Sequence, residues 1–226
     1  MNRTILTITG PSASGKSTLE HMLTADPASP FARIISTTTR MPRKGEVNGK
    51  DYHFVDEDDF QALDKAGLLM ESNLFGRSYY GARVSDFESV FAQGKIAVLV
   101  ADPNGVKQIA EQSDKRGYSL AKVFVSNPAA VRYERLVERF IRDIERLELG
   151  GHAFELARAA FVARLATIET VETQWFGALG WNLCYRNFDS SNADQVAQSI
   201  ANAMLSGSKL RTWSPASLSA TRAVRA

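Results

Sequence analysis

The sequence predicts an α/β fold of three layers, in which a parallel sheet lies between two layers of helices. Apolar strand-like segments alternate with segments of helical spacing along most of the chain, as they do in βαβ units. One segment, residues 96–101, is apolar at every position, which is typical of a central parallel strand covered on both faces. A third observation, the pattern Gly-x-x-x-x-Gly-Lys-Ser in the loop after the first strand, narrows this fold to the P-loop NTPase type.

That loop, residues 10–18, follows a short apolar strand at residues 5–9 and leads into a helix. It fits the pattern G-x-x-x-x-G-K-[ST] in the strand–loop–helix context that the pattern requires. Its two glycines let successive backbone N–H groups point at one anion, in front of the positive end of the helix. Lys16 adds a charge between the outer phosphates, and the Ser17 hydroxyl is the candidate Mg²⁺ ligand. The candidate phosphate-binding residues are Gly10, Pro11, Ser12, Ala13, Ser14, Gly15, Lys16, Ser17 and Thr18. We therefore expect the chain to bind a nucleoside triphosphate.

The later elements follow from apolar spacing and from turn residues. The predicted strands are residues 32–35, 52–55, 69–74, 96–101, 121–125 and 183–185. The predicted helices are residues 84–92, 106–111 and 193–205, and a helix that Asp56 caps and that includes Phe60, Leu63 and Leu68. Residues 128–175 are predicted to be strongly helical, with Gly150 and Gly151 as the obvious break.

This order of elements predicts a division into a core and two additions. The predicted core comprises residues 1–36, 84–130 and 177–205, within one domain that ends at residue 205. Residues 37–83 read as a small, partly β insertion between parts of the main sheet, and residues 131–176 as a helical lid. The basic residues 206–226 lack an apolar period and are predicted to be disordered.

Arginines recur along the first half of the helical region, interleaved with acidic residues. Such a pattern is compatible with a solvated helix face that carries ion pairs between residues i and i+4. It is equally compatible with a lid whose arginines close over phosphates. The residues alone leave both interpretations open.

Composition excludes several functional classes. The formal net charge of +2 comes from residues 206–226, which carry four basic residues and leave 23 basic against 25 acidic residues in the rest of the chain. A protein whose residues outside the tail are nearly neutral lacks the excess positive charge that is typical of nucleic-acid-binding proteins. No stretch is long enough to cross a bilayer, the first apolar run is too short for a signal peptide, and the three histidines are too scattered for a zinc site. The single Cys184 allows no internal disulfide, so we expect a cytoplasmic protein with neither nucleic acid nor membrane as partner.

A second motif lies in residues 36–81. It reads Ser-x-x-x-Arg-x-Pro-Arg-x-Gly-Glu, then Gly-x-x-Tyr-x-Phe-Val, then Glu, then Tyr-Tyr-Gly. Its residues here are Ser36, Arg40, Pro42, Arg43, Gly45, Glu46, Gly49, Tyr52, Phe54, Val55, Glu71, Tyr79, Tyr80 and Gly81. The order closely resembles the nucleoside-monophosphate-binding region of guanylate kinases, and the phosphate loop resembles theirs as well. The resemblance runs from about residue 4 to residue 109, with a weaker echo at Arg164 and Asn187.

The resemblance implies phosphoryl transfer from ATP to GMP or dGMP, with Mg²⁺. By this resemblance the 5′-phosphate is held by Arg40, Arg43, Tyr52 and Tyr80, and Glu71 accepts hydrogen bonds from guanine N1–H and the 2-amino group. The implied GMP-binding residues are Ser36, Arg40, Arg43, Glu46, Tyr52, Glu71, Tyr80, Gly81 and Asp102. The implied catalytic residues are Lys16, Arg40, Arg43, Arg135, Arg139 and Arg164. Asn187 is implied as an ATP-binding residue, and Ser17 as the metal ligand.

Three departures from the family pattern leave questions open. Ala82 stands where the family usually has a hydroxyl that reads guanine O6, so a kinase for another 2-aminopurine nucleotide is the alternative function. Val100 replaces the first carboxylate of the family's Asp-x-Asp, which leaves Asp102. In the lid, Arg146 with Leu147 fits the arginine motif nearly as well as Arg135 with Arg139. A non-catalytic phosphopeptide-binding module is the alternative of another class, and the intact phosphate loop argues against it.

Overall fold

The computed structural model describes residues 3–43, 45–147, 151–168, 170–185, 188 and 191–206. The elements in chain order are β1 (Thr4–Thr9), α1 (Lys16–Thr24), β2 (Phe31–Arg33), β3 (Thr37–Thr38), β4 (His53–Phe54), α2 (Glu57–Lys65), β5 (Leu69–Phe75), β6 (Ser78–Arg83), α3 (Val84–Ala92), β7 (Ile96–Val100), α4 (Pro103–Arg116), β8 (Ser119–Val125), α5 (Ala129–Leu147), α6 (Gly151–Ala166), α7 (Val171–Gly177), β9 (Leu183–Tyr185) and α8 (Ala193–Leu205). None of the helices within these residues is long and apolar enough to span a membrane.

The main sheet has five strands in the order β2-β7-β1-β8-β9. The pairs β2–β7, β1–β7 and β8–β9 are parallel, and Ile8 is paired with Val100 at the carboxyl ends of β1 and β7. This arrangement confirms the predicted α/β class with a parallel sheet. The strands are apolar on both sides, and a parallel sheet of such strands can be covered by helices on both of its faces.

The chain divides into two compact units. The first comprises Met1–Ile8 and Glu20–Lys122, and the second comprises Thr9–Leu19 and Val123–Ala226. Strands β2, β7 and most of β1 belong to the first unit, whereas β9 and the end of β8 belong to the second. The phosphate loop therefore lies in the second unit.

A second sheet, of four strands in the order β4-β3-β6-β5, forms within the first unit. Strand β6 is antiparallel to both β3 and β5, and β3 is parallel to β4. We did not predict β3 or β6 from the sequence. Strand β3 has two residues in a polar stretch, and β6 is rich in tyrosine between two glycines, so neither shows a clear alternation of apolar and polar residues.

Several predicted boundaries were wrong by a few residues. Helix α2 does not include Leu68, because Gly67 adopts a left-handed conformation (φ 66°) that ends the helical turn. Strand β2 ends at Arg33 rather than at residue 35. Helix α4 is longer than predicted, since Asp102 caps its start and Gly117 ends it in the left-handed region. The predicted bounds of α3, β9 and α8 are confirmed.

Each unit has its own apolar core. The main cluster of the first unit contains Ile5, Ile34, Met70, Ala82, Phe87, Val90, Phe91, Ala97, Leu99, Ile109 and Tyr118. In the second unit Phe124 packs on Phe176 and Trp181, with ring centroids 5.3 and 5.0 Å apart. The indole N–H of Trp181 donates to the Phe176 carbonyl at 2.9 Å, so its one polar group is satisfied inside this core.

The long helical region consists of α5, α6 and α7. Helices α5 and α6 contact through Phe140, which stacks on Phe161 at 4.5 Å between centroids. The predicted break at Gly150 falls outside the described residues, and α6 begins at Gly151. The tail predicted to be disordered, residues 206–226, also lies outside the described residues except for Ser206.

Candidate functional site

The phosphate loop of the second unit is held by close backbone packing. A β-carbon at Gly10 would lie 1.9 Å from the carbonyl oxygen of Val125, so no larger residue fits at this position. Gly15 has φ +93°, and a β-carbon there would lie 2.6 Å from the Phe188 ring. Ala13 also has a positive φ, of 62°, which is uncommon for a residue with a side chain and is found at functional sites. The loop thus takes the curled form that the two glycines predicted.

Lys16 begins α1, and its ammonium group is turned back over the loop. Nζ donates to the carbonyl oxygens of Gly10 and Pro11 at 2.7 and 2.8 Å. Burial, and to a smaller extent the charges of Arg139, Arg164 and Arg132, lower the pKa of Lys16 to about 8. The ammonium group therefore lies near other positive charges, and such an arrangement favours the binding of an anion beside it.

The predicted arginines of the helical region lie around this loop. Arg135 on α5 donates to the Ala13 carbonyl at 3.2 Å. Arg139 on α5 and Arg164 on α6 act on Lys16 through their charges, and Arg164 also lines a small cavity with Ser12. Of the five arginines that the resemblance implies as catalytic, the structure thus places the three of the helical region near the phosphate loop. Arg146 lies at the end of α5, where side chains are outside the described part of the structure.

Three further residues of the second unit support the loop, and we did not assign them from the sequence. Arg132 is almost fully buried, and its Nε donates to the Asn127 carbonyl at 2.9 Å. The Asn127 amide donates to the Ser14 carbonyl at 3.3 Å, and Phe188 lies against Gly15. The arginine run was a visible signal for Arg132, whereas nothing in the sequence connects Asn127 or Phe188 to the loop.

The residues at the loop fit a Mg²⁺ ion that is bound mainly through phosphates. Ser17 lies at the start of α1 and is exposed. Within the described residues there is no group of three or more His, Cys, Asp or Glu side chains that could hold a metal. Mg²⁺ commonly keeps several waters and takes one or two protein ligands beside the phosphates, which agrees with a single hydroxyl at this position. Asn187, which the resemblance implies as an ATP-binding residue, lies outside the described residues.

A second group of candidate residues lies in the first unit, around Arg40. The Arg40 guanidinium forms two hydrogen bonds to the Glu46 carboxylate, at 2.9 and 3.0 Å. Glu46 also accepts the Arg43 backbone N–H at 2.7 Å. Burial opposes ionisation of Glu46, but its hydrogen bonds with Arg40 and the Arg43 backbone outweigh burial and lower the pKa of this carboxyl. Glu46 therefore fixes the segment that carries both arginines, and the Arg43 side chain is exposed.

Aromatic rings complete this group. The Arg40 guanidinium carbon lies 5.4 Å from the Tyr52 ring centroid and 5.7 Å from that of Phe54. Tyr52 and Tyr80 are in edge contact at 6.1 Å. Burial raises the pKa of the Tyr52 phenol, so it remains a hydrogen-bond donor at neutral pH. One guanidinium and two phenols thus converge, as the interpretation of this region as a phosphate site requires.

A carboxyl group lies farther along the same sheet. Because side chains alternate along a strand, Glu71 and Asn73 on β5 share one face with Ala82 and Tyr80, their partners on β6. The pKa of Glu71 is raised to about 7, mainly by burial; the hydrogen bond from Asn73 opposes the shift and the charge of Asp102 contributes to it. A buried carboxyl of this kind is a candidate for recognising a ligand with N–H donors.

The remaining predicted residues lie in the first unit, where they make hydrogen bonds or close contacts with the backbone. Asp102 caps α4, where its side chain accepts the Gly105 N–H at 2.8 Å. Gly81 permits close strand packing, since a β-carbon there would lie 2.7 Å from the Glu71 carbonyl oxygen. Ser36 is half-buried, and its carbonyl oxygen accepts the His53 N–H at 2.9 Å.

Comparison with known proteins identifies the family of this chain. The family model of guanylate kinase matches residues 2–148, which is more than half of the chain. The chain belongs to the guanylate kinase family. The guanylate kinase of Chlamydia muridarum is 36% identical to this family member over 150 residues, which cover 64% of this chain and 70% of that protein. The guanylate kinase of Lactobacillus johnsonii is 41% identical over 105 residues, or 46% of this chain, and this chain spans about half (52%) of that relative.

The fold of this family member also has a solved counterpart. The crystal structure of guanylate kinase from Anaplasma phagocytophilum matches with a TM-score of 0.58 and 21% sequence identity, over 92% of this chain and 89% of that one. At this identity the match concerns the fold alone. The family match ends at residue 148, so α6, α7, β9 and α8 lie beyond it.

Proposed function

We propose that this protein phosphorylates GMP or dGMP with ATP as donor, giving ADP and GDP or dGDP. One observation supports this above all: an intact phosphate loop with its lysine occurs in the same chain as a buried carboxyl, Glu71, that shares a sheet face with Tyr80. The loop suits a triphosphate, and the second group suits a nucleotide that carries both a phosphate and N–H donors on its base.

In this proposal the second unit binds the donor. Backbone N–H groups of residues 10–18, other than Pro11, hold the β- and γ-phosphates, with Lys16 between them and Asn187 as a further ATP-binding residue. Mg²⁺, when bound, neutralises charge on the transferred phosphoryl group, and the Ser17 hydroxyl is the residue that would hold it. Because Lys16 already lies near three arginines, a bound polyphosphate relieves the repulsion among these four positive charges.

The acceptor phosphate belongs to the group around Arg40. Arg40, with Arg43, forms the charged part of the site, and the Tyr52 and Tyr80 phenols donate further hydrogen bonds. Glu46 positions Arg40 through its two hydrogen bonds. The acceptor oxygen then attacks the γ-phosphate in line, so that the protein contributes positioning and charge neutralisation rather than a covalent intermediate.

The base is selected by Glu71. An ionised carboxylate can accept guanine N1–H and the 2-amino group, whereas adenine offers neither donor on that edge. An unpaired buried carboxylate costs a few kcal/mol, which is enough to exclude AMP. Ser36, Gly81 and Asp102 complete the nucleoside site in this proposal.

Phosphoryl transfer also needs positively charged side chains around the migrating phosphoryl group, whose negative charge they neutralise. We assign this role to Arg135, Arg139 and Arg164, which surround the phosphate loop.

The proposed organisation is a core of residues 1–36, 84–130 and 177–205, a monophosphate-binding insertion of residues 37–83 and a lid of residues 131–176. Closure of the lid would exclude water and limit hydrolysis of ATP. The proposed location is the cytoplasm.

The second candidate is a kinase for another 2-aminopurine nucleotide, which Ala82 favours because its methyl side chain offers guanine O6 no hydrogen bond. The test is to mix ATP, Mg²⁺ and each purine nucleoside monophosphate with the protein and to follow the products by ³¹P NMR. Conversion of GMP and dGMP to diphosphates, with ADP in equal amount, supports the proposal. Conversion of a 6-amino-2-aminopurine nucleotide alone would support the second candidate, and no conversion of any of them would refute both.

A further inference from the structure

Asn73 lies beside the candidate base-reading carboxyl and has no role in the family pattern found in the sequence. It is two residues from Glu71 on β5, so both side chains lie on the same face of the sheet. Its amide Nδ2 donates to Glu71 Oε2 at 2.7 Å. Gly105 makes room for this pair, because a β-carbon at that position would lie 3.3 Å from both polar atoms.

The orientation of the Asn73 amide is determined by its neighbours on α4. Asn104 and Gln108 both donate to Asn73 Oδ1, the latter at 3.3 Å. An oxygen is required where two donors converge, so the NH₂ end of the amide must be the end that faces Glu71. Of its two hydrogens one is used by Glu71, and for the other the described residues supply no acceptor.

Together the two side chains present an ordered hydrogen-bonding edge. The free N–H of Asn73 is a donor, and the two oxygens of ionised Glu71 are acceptors, which gives donor, acceptor, acceptor. The Watson–Crick edge of guanine is O6, N1–H and 2-NH₂, which gives acceptor, donor, donor. The two edges are complementary at all three positions.

We propose that Asn73 is a base-specificity residue that donates a hydrogen bond to O6 of the acceptor guanine. This inference rests on the proposed guanylate kinase function and deepens it. Ala82, the partner of Glu71 on β6, is fully buried among apolar side chains and offers no hydrogen bond. Asn73 therefore supplies from the neighbouring strand the O6 contact that Ala82 does not. A 6-amino group would meet the Asn73 donor with another donor, so purines with that group are disfavoured.

The experiment compares three acceptors in the wild type and in Asn73→Ala. GMP and IMP both carry O6, whereas 6-thio-GMP keeps N1–H and the 2-amino group but has a weak sulfur acceptor at position 6. Asn73→Ala should lower kcat/KM for GMP and for IMP by the same factor, about tenfold for one lost hydrogen bond. For 6-thio-GMP the loss should be less than about threefold. Because Asn73 also lowers the pKa of Glu71, the acid limb of the GMP pH profile should move to higher pH in this variant.

Leu74→Ala is the matched control, since Leu74 is the next residue on β5 and its exposed side chain points to the other face. It should change none of the three values. An equal loss for all three acceptors in Asn73→Ala would mean that Asn73 acts only through Glu71, and it would overturn the inference. Asn73→Leu keeps the approximate size of the side chain, removes the donor and should give the same pattern as Asn73→Ala. An equal loss for all three acceptors in this variant would likewise overturn the inference.

A failure of the proposed guanylate kinase function gives a different result from a failure of the proposed role of Asn73. If the wild type converts neither GMP nor IMP, the guanylate kinase proposal is wrong before any variant is compared. If the wild type converts GMP and the variants leave the acceptor ratios unchanged, only the role of Asn73 is wrong.

Discussion

Arg40 and Glu46 form a two-pronged ion pair, with guanidinium–carboxylate distances of 2.9 and 3.0 Å and both side chains largely buried. The same carboxylate holds the backbone N–H of Arg43. The arginine that we propose to bind the acceptor phosphate is thus already oriented by the protein itself, and the aromatic rings of Tyr52 and Phe54 restrict it further. Orientation in advance lowers the entropic cost of binding.

Glu46→Gln should therefore weaken acceptor binding selectively. The neutral amide can make only one weaker hydrogen bond to Arg40, and charge-assisted bonds of this type contribute about 1.5–3 kcal/mol. We expect KM for GMP to rise about tenfold, while KM for ATP stays within about twofold. Asp51→Asn is the control, because Asp51 caps the nearby Val47 amide without contacting Arg40. Equal increases in both KM values would contradict the division into donor and acceptor sites.

The acceptor site should show a pH dependence set by Glu71. Burial raises the pKa of this carboxyl to about 7, whereas guanine N1–H and 2-NH₂ need the ionised form as acceptor. KM for GMP should rise as the pH falls below 7, by about tenfold per pH unit, while KM for ATP shows no such break. Glu71→Gln should abolish the dependence. A flat GMP profile in the wild type from pH 5.5 to 8 would exclude Glu71 as the base reader.

Lys16→Met should separate catalysis from folding. Turnover should fall by a few orders of magnitude, because the charge that stabilises the transferred phosphoryl group is lost. In the absence of nucleotide, the lowered pKa of Lys16 means that its charged form destabilises the fold below about pH 8, and that this penalty is lost as the pH rises toward 10.5. The Tm difference between Lys16→Met and wild type should therefore shift in favour of the wild type between pH 7 and pH 9.5. Lys107→Met, on exposed α4 surface, should show no such trend. A pH-independent difference for Lys16→Met would contradict this account of its surroundings.

Gly10→Ala should distort the phosphate loop, because the added β-carbon clashes with a backbone atom. Its β-carbon would lie 1.9 Å from the Val125 carbonyl oxygen, so β1 and β8 or the loop itself must shift. We expect a clear fall in Tm, of several degrees, together with weaker ATP binding measured by calorimetry. Gly177→Ala is the matched control in the same unit, because nothing lies within 4 Å of its β-carbon position. Equal effects of the two substitutions would show that the loop is not held by this close approach.

The sequence predicted those features that depend on local pattern. The phosphate loop is a contiguous motif, and strands such as β7 show their burial directly in their composition, so the loop was located and the end of β7 was predicted to within one residue. Strand β6 was missed because its stability comes from pairing with β5 and β3, and such pairing leaves little trace in a tyrosine-rich segment. Asn127 and Phe188 were missed for a similar reason, since they reach the loop only through the fold. Asn73 is informative only once Asn104 and Gln108 are seen to orient its amide.

The most direct test of the account is the ratio of kcat/KM for GMP to that for AMP, measured by ADP release with saturating ATP and Mg²⁺. A buried carboxylate that must accept two donors from the base should favour GMP by at least about a thousandfold. Glu71→Gln should reduce the ratio through loss of GMP turnover, with ATP binding unchanged. A ratio within about tenfold of unity, or no turnover of either nucleotide by the wild type, would contradict the assignment of this protein as a guanine-specific monophosphate kinase.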